Sequence, residues 1–573
     1  LPTGLFLDDH AHFAHLREGD WSFRSAVESS RLGIVGDVMD LWGRTEAGLR
    51  FFRPIAFWTM KAEYTIAGWR PAIVHGFSLA WHLTCAMLTG TLAMRCFGSR
   101  FWATVAASLM AIHPGHTATV YWIACQTELL TTAMLLLAIL CYARAAGWGR
   151  RLFLAGPEVQ TAEPARPIFM LPALLFYALA LGCRENAVLF PAVCVAGDYL
   201  FGARRLRVRW EYVTLALLLG GYFVVRSWAL GGFNMPARPY ITPINDPTFP
   251  RFIVEKIVYY TLGLFGFLPV IPMAGQAFFA ERPASFYGGF AMTLVILTII
   301  WGAYRFRRAM VWPVLWIACF TAPVLPVFAS SHHLYLPSVG TVLLLTAGLA
   351  ALGGLTRRSA SGDASAWRPT QVQKVVCGLV LLARAVGLGL LTWASGFAYQ
   401  AGTRTEDILI DEVLRRSKPI RDGDHFFFIN MPVLAYYALP AIEARIDRRD
   451  LHGHVLTFSP WLMRMEKPGT VEVLDRHRLR VRAAEDHPYF EGVTGNTLLL
   501  AMGFEGVPPV GVPIRADGFT VTPVAANDRG ITEIEFTFDR PIDSPEYHFY
   551  FGSPHFLAYP LQLPAFTSTA PSQ

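Results

Sequence analysis

The sequence predicts a mainly α-helical, polytopic membrane protein with about 11 transmembrane helices, one of them lying ahead of Leu1, followed by a soluble C-terminal domain of mixed α/β and β structure. Three observations carry that expectation. Ten apolar stretches, each long enough or nearly long enough to cross a bilayer, fall between Pro71 and Tyr399. The 573-residue chain is 53% hydrophobic, too apolar for an ordinary soluble protein. Its net charge of +7 is almost all arginine in short loops between the stretches, with lysine only at Lys61, Lys256, Lys374, Lys418 and Lys467. That balance suits loops anchored in a cytoplasmic leaflet. It argues against a nucleic-acid partner, which would need a basic soluble face.

Residues 1–70 read as a first extracytoplasmic loop, mixed polar and amphipathic, with Trp21, Trp42 and Trp58 suited to interfacial packing. The transmembrane domain, 71–399, has spans near 71–95, 101–114, 118–143, 168–183, 186–202, 211–231, 287–304, 310–329, 334–355 and 375–398. Several are shorter than the ~20 residues of a full crossing and need neighbours to bury their ends. Placing the basic loops (Arg95 and Arg100; Arg144, Arg150, Arg151 and Arg166; Arg204 to Arg209; Arg305 to Arg308; Arg357 to Lys374) in the cytoplasm gives one consistent topology. It requires 251–272 to be interfacial or re-entrant, in keeping with Pro269 and Pro272. A full crossing there is the alternative, and it would put Arg305 to Arg308 outside.

Residues 400–573 read as an extracytoplasmic domain. Asp424–Pro432 and Val455–Pro460 look like buried strands around a helical Val433–Arg445, a βαβ-like start. Beyond residue 470 the pattern alternates as in antiparallel sheet, with a turn at Asn527–Gly530. The eight cysteines lie in or beside apolar segments without CxxC or zinc spacing, and so read as small buried hydrophobes.

The same topology puts the polar residues that interrupt the apolar runs in one compartment outside the cytoplasm. Lipid solvates bare charge poorly, so such residues mark a water-filled site. Asp8 and Asp9, followed by His10, form an adjacent carboxylate pair able to divide the work of base and positioning group; a solvated loop start or a helix N-cap is the blander reading. His113 and His116 rim a Pro-Gly turn, and Glu128 lies in an apolar run where a carboxylate needs a partner. Arg184-Glu185 reads either as a local ion pair or as part of a phosphate site, and Arg226 as a snorkelling or a phosphate-binding arginine. His332 and His333 precede Tyr335 at the mouth of the next span. No cofactor is certain; Asp8, Asp9 and Glu128 are the acids that could gather around a divalent cation.

In order along the chain, FLDDH (6–10), FRPIAFW (52–58), GWRPAIVHGFSLAWHLT (68–84), IHPGHTATVYWI (112–123), ACQTELLTTAMLLLAILCY (124–142), CRENAVLFPAVCVAGDYLF (183–201), YFVVRSWALGG (222–232) and HLYLPSVG (333–340) resemble the GT-C superfamily of membrane glycosyltransferases, in particular the transmembrane O-mannosyltransferase type and its bacterial relatives. The resemblance implies transfer of a sugar from a polyprenyl-phosphate donor to a hydroxyl of a protein, lipid or glycan, outside the cytoplasm. Asp8 or Asp9 falls where that family keeps its base. Arg184, Glu185, Arg226, His332, His333 and Tyr335 become candidates for the donor phosphate; His10, His113, His116 and Glu128 become candidates to line the site or meet the acceptor. The chain departs from the family pattern at Ala118, at Cys125-Gln126-Thr127-Glu128 in place of Gly-Arg-x-Asp, and at His333 in place of arginine. A degenerate membrane scaffold, binding lipids and membrane-complex partners, is therefore the competing expectation. The excess of arginine over lysine suggests a GC-rich bacterial genome and a multi-pass protein of the plasma (inner) membrane.

Overall fold

Most of the apolar stretches fold as helices where the pattern places them. A computed structural model describes residues 4–5, 8–29, 31–33, 40–42, 48–68, 70–149, 164–201, 209–232, 240–266, 287–297, 310–351, 369–448, 450–459, 469–484 and 487–564. The first loop contributes α1 (Asp9–Glu18), α2 (Phe23–Glu28), a short hairpin of β1 (Arg31–Gly33) and β2 (Gly48–Arg50), and α3 (Pro54–Ala67). Prolines at the starts of α3 and of α4 (Pro71–Phe97) exploit the first helical turn, where no N–H partner is missed. Then follow α5 (Arg100–Ala111), α6 (Thr117–Tyr121), α7 (Gln126–Ala145), α8 (Met170–Leu181), α9 (Phe190–Phe201), α10 (Trp210–Leu230) and α11 (Phe249–Phe265). The series closes with α12 (Tyr287–Leu297), α13 (Val311–Thr321), α14 (Tyr335–Ala351) and α15 (Gln371–Arg416).

Among the described residues five helical segments are long and apolar enough to cross a membrane: Pro71–Phe97, Ile123–Ala145, Trp210–Leu230, Ser331–Ala350 and Gln371–Arg416. The chain is thus a multi-pass membrane protein. Three more apolar helices, Pro167–Leu181, Tyr287–Leu297 and Val311–Val324, are shorter. The far part of the 287–304 span, the end of 251–272 and most of the arginines of the basic loops lie outside the described residues. α7 and α14 sit at the centre of the bundle, while α10 and the apolar part of α15 turn large side chains such as Leu217, Leu379, Leu390 and Trp393 outward. Small residues set the closest approaches. A Cβ on Gly90 of α4 would stand 3.0 Å from the Ala107 Cβ of α5, so the two backbones pack at small-residue distance. Asp198 gathers the Tyr142, Trp148, Tyr212 and Arg209 donors and ties α7, α9 and α10 together.

Two expectations are corrected. The span drawn over 118–143 is not one helix: it breaks at Trp122, whose ψ of 107° is extended, and resumes through a 3-10 turn at Ile123–Cys125. The break stands because the Asp9 side chain of α1 accepts the Ala124 backbone N–H that it exposes. The second correction concerns the βαβ unit, where the later strand is His452–Val455 rather than 455–460; residue 460 lies outside the described set.

α15 begins with a capping box, Thr370 and Gln373, and continues for 46 residues, about 69 Å at 1.5 Å per residue. That is twice a bilayer core, so the helix crosses residue 400 without a break and carries the chain into the C-terminal region. There β3 (His425–Ile429), α16 (Ala438–Ile446) and β4 (His452–Val455) form a parallel βαβ unit. Late strands β10 (Tyr547–Phe551) and β11 (Tyr559–Pro560) complete a four-stranded sheet in the order β11-β10-β3-β4. The strands β5 (Thr470–Val473), β6 (Arg478–Arg482), β7 (Ile514–Arg515), β8 (Phe519–Ala526) and β9 (Ile531–Phe538) make an antiparallel sheet in the order β5-β6-β9-β8-β7, with α17 (Gly492–Met502) beside it. The core of this region also takes in Ala11, Leu41 and Trp42 from the first loop. Asp40 pairs with His454 as an added parallel bridge, and the Trp42 indole donates to the Leu456 carbonyl (2.9 Å). All eight cysteines are free and buried or half-buried, as their setting implied.

His425 Nδ1 lies 2.9 Å from His454 Nε2 across β3 and β4, and the two rings stack. Burial, then the neighbouring histidines, push His454 down to about 3; burial first, then His452, pushes His425 down to about 4. The unfolded chain takes up protons at these residues below pH 6.5 and the folded sheet does not. Their stabilisation is therefore complete above 6.5 and is lost as pH falls toward 4. Protection factors of the β3 and β4 amides, corrected for intrinsic exchange, should fall between pH 7.5 and 5, and His454→Leu should flatten that dependence.

Candidate active site

α1 begins where two carboxylates meet the break in the span. Asp8 occupies the N-cap position with helical backbone angles, and its side chain does not cap the helix. It turns instead to Trp122, whose indole N–H donates to Oδ1 at 2.6 Å. Asp9, fully buried, accepts the Ala124 backbone N–H at 2.7 Å. The two residues thus fill the gap between α6 and α7: one takes a side-chain donor, the other an N–H that the interrupted helix leaves without a carbonyl. Burial lifts the Asp8 carboxyl to about 7, against the pull of Trp122, Arg53 and His10. Unlike Asp9, Asp8 is only half-buried.

Behind the pair stand two ion pairs. Glu128, in the first turn of α7, meets Arg184 Nε at 3.0 Å; Arg184 Nη1 also donates to Thr127 Oγ1, and Asn186 donates to Glu128 at 3.3 Å. Glu185 accepts Arg53 through Nε and Nη2 (3.1 and 2.9 Å) on one oxygen and the Phe52 N–H on the other. Arg184 and Glu185 are adjacent but not partners. Arg184 is extended (φ −164°, ψ 147°), which sends neighbouring side chains to opposite sides. Each pairs with a residue from a distant segment, which replaces the local ion pair considered from the sequence.

A narrow cleft opens between α1 and α3 beside these pairs, lined by His12, His15, Ser29, Phe51, Arg53 and Thr127 among others. His12 is pushed down to about 3 by burial, then by His15 and Arg53, and so is neutral at physiological pH. Arg226 stands half-buried on α10 beside Tyr222, whose ring packs 5.9 Å from Phe52. His332 sets its ring edge-on to Trp122 at 5.8 Å, which joins it to Asp8 through that indole; its Nδ1 lies 2.7 Å from Ser330 Oγ. His333 accepts the Tyr260 hydroxyl at 2.8 Å.

The remaining candidates lie deeper. Tyr335 donates to His82 Nδ1 at 2.7 Å. His116 donates from Nδ1 to the Met110 carbonyl, with Nε2 at 2.8 Å from Ser338, and His113 Nε2 donates to Leu264 at 2.7 Å. These rings pack on one another (His113 to His116, 4.6 Å) and tie α5, α11 and α14 into the bundle. Asp8, Asp9 and Glu128 each hold separate partners and do not converge on a cation position; among the described residues no group of three or more His, Cys, Asp or Glu could hold a metal ion. Sequence reasoning missed Arg53 and Glu63. Glu63 is buried and accepts Trp81 Nε1 and Gln126 Nε2 (2.9 and 2.6 Å), so the glutamine that stands in place of an arginine has a carboxylate partner. The available signals were a charged residue ahead of Pro54 and a lone acid inside an apolar helix.

No family model matches the chain. Protein O-mannosyl-transferase TMTC1 of Homo sapiens is 29% identical over 163 residues, 28% of this chain and 18% of that protein. Protein O-mannosyl-transferase Tmtc2 of Drosophila melanogaster is 25% identical over 189 residues, 32% and 19% of the two chains. The chain thus spans less than a fifth of the length of these curated relatives. The O-mannosyltransferase resemblance read from the motif runs is the one their names carry. Among solved structures, the oligosaccharyltransferase of Archaeoglobus fulgidus in its apo form aligns over 79% of this chain and 61% of its own, at TM-score 0.41 and 13% identity. ArnT from Cupriavidus metallidurans aligns over 77% and 81%, at TM-score 0.38 and 14% identity.

The Glu128–Arg184 pair gives a direct test of the buried electrostatics. Arg184→Met leaves an uncompensated buried carboxylate and should destabilise the detergent-solubilised protein by about 3–5 kcal/mol. Adding Glu128→Met should recover most of that loss, measured by thermal unfolding of the single and double variants.

Proposed function

We propose that the protein is a GT-C-type glycosyltransferase that moves a sugar from a polyprenyl-phosphate donor to an acceptor hydroxyl of a protein, lipid or glycan. The reaction takes place on the extracytoplasmic side of a bacterial plasma membrane. The observation that carries the reading is Asp8: a half-buried carboxyl bound to the Trp122 indole and lifted to about 7, at the start of the helix whose His12 and His15 line a cleft. A base works best when its pKa lies near the working pH. Ionised Asp8 takes the acceptor hydroxyl proton as the oxygen attacks C1 of the sugar. The C1–oxygen bond to the lipid phosphate breaks, the anomeric centre inverts, and the phosphate leaves on the lipid. Asp9, held by the Ala124 N–H, positions Asp8. Arg226, half-buried and partly open, is the cation suited to meet the leaving phosphate.

A scaffold without catalysis is favoured by a different observation. The arginines behind Asp8 are already neutralised by Glu128 and Glu185, and His333 is engaged with Tyr260. In that reading the same fold binds lipids and membrane-complex partners.

The deciding measurement is transfer of labelled sugar from polyprenyl-phosphate donors by purified full-length protein. Asp8→Asn should lower kcat by about 10²–10⁴ with the fold intact. The parent rate should rise with pH through about 7, because only ionised Asp8 accepts the proton. No transfer across a broad donor panel, with cellular glycans unchanged by Asp8→Asn, would establish the scaffold.

A further inference from the structure

We propose that Glu406, on the polar end of α15, is a positioning residue for Asp8, acting through a buried bond to His10 that fixes α1 over the break in the span. The role rests on Asp8 being the base.

His10 Nε2 lies 3.1 Å from Glu406 Oε2, with the residues 7% and 1% exposed. His10 Nδ1 is buried and has no hydrogen-bond partner among the described residues. A proton there would be an unsatisfied buried donor, so the neutral ring keeps it on Nε2 and donates to the carboxylate. Burial holds His10 down at about 4; Asp407 and Asp8 pull it up and Arg445 pulls it down. The ring is therefore neutral at pH 7, and removing the Glu406 carboxylate leaves the buried His10 Nε2 without its acceptor, the costly way to lose a hydrogen bond.

The contact belongs to a continuous face. Tyr399, Thr403, Glu406 and Ile410 recur at helical spacing along α15. Tyr399 stacks on Tyr121 of α6 at 5.8 Å, and a Cβ on Gly4 would stand 3.3 Å from the Thr403 Cβ. Ile410 shares a core with Ala11 of α1. The other acids of this stretch behave differently. Asp407 and Asp411 are exposed and meet Arg445 of α16 at 2.6 and 2.5 Å, surface pairs of the kind that contribute little. Glu406 turns inward, two residues of α1 away from Asp8.

The test uses full-length protein with Glu406→Gln, His10→Gln, their double variant and Arg445→Ala as control. Glu406→Gln and His10→Gln should each lower kcat about 10- to 100-fold, as misplacement of a reacting group does, with donor KM within twofold. The double variant should be no worse than the poorer single. Hydrogen exchange of residues 11–18 should quicken at least tenfold in Glu406→Gln and Glu406→Asp while α7 stays unchanged; this readout needs no activity. Additive losses, a change confined to KM, or unchanged α1 exchange with unchanged kcat would overturn the role. A parent protein without Asp8-dependent transfer would overturn the base assignment and this role with it. That failure is distinguishable because α1 exchange would still respond to Glu406.

Discussion

The arrangement depends on the way two carboxylates fill a gap in a membrane helix. A backbone N–H left without a helical carbonyl needs another acceptor, so a break at the mouth of an apolar span persists where protein groups satisfy it. Between α6 and α7 those groups are Asp8 and Asp9, which accept from the Trp122 indole and the Ala124 N–H. The dependence runs both ways. The break leaves donors that hold two acids side by side at low solvent exposure, and the acids make the break tolerable. An uninterrupted helix through Trp122 would bond the Ala124 N–H to a helical carbonyl and leave Asp9 without it. Placing the two acids and folding the chain around the break are in this sense one problem.

The charges behind the pair follow the same logic. Four ionised residues, Arg53, Glu128, Arg184 and Glu185, sit together as two neutral pairs, each with further hydrogen bonds. Pairing removes most of the penalty for burying them but leaves little net attraction for an incoming anion. A lipid phosphate would have to exchange for a glutamate on one of these arginines or take a cation that is more open. Arg226 is half-buried on α10 rather than inside the pairs, which is why it serves as the phosphate partner in the transferase reading. The scaffold reading differs in supposing that no exchange occurs.

The longest spans were legible because a bilayer imposes one dominant pattern, and long apolar runs satisfy it whatever the neighbours are; among the described residues five of them fold as helices long enough to cross. The break at Trp122 was not, since Val120, Trp122 and Ile123 continue the apolar run and no proline or glycine marks a stop. Asp8, Glu128 and Arg184 could be singled out as charges in the wrong solvent, but their partners could not. Arg53 finds Glu185 at a separation of 132 residues, and adjacency made Arg184 and Glu185 look like a pair when the extended backbone points them apart. In the C-terminal region the phenylalanines of β3 announced a buried strand. His452-Gly453-His454 did not, because His454 is buried by stacking on Phe427 (4.8 Å), a contact invisible to an apolar-pattern reading.

The C-terminal region is more than an appendage to the membrane bundle. Its hydrophobic core is incomplete without Ala11, Leu41 and Trp42, which come from the same first loop that carries Asp8. Trp42 is fully buried and donates to Leu456, and Asp40 extends the parallel sheet beside His454. α15 supplies the connection: one helix, apolar and outward-facing along its first part and packed into the C-terminal core further on, with Glu406 at the junction. Ordering the first loop therefore draws on the burial of Trp42 and its neighbours as well as on the bundle. The C-terminal core and α1 are joined by packed contacts rather than by a tether alone, so loosening that core also loosens the helix that begins at the two carboxylates.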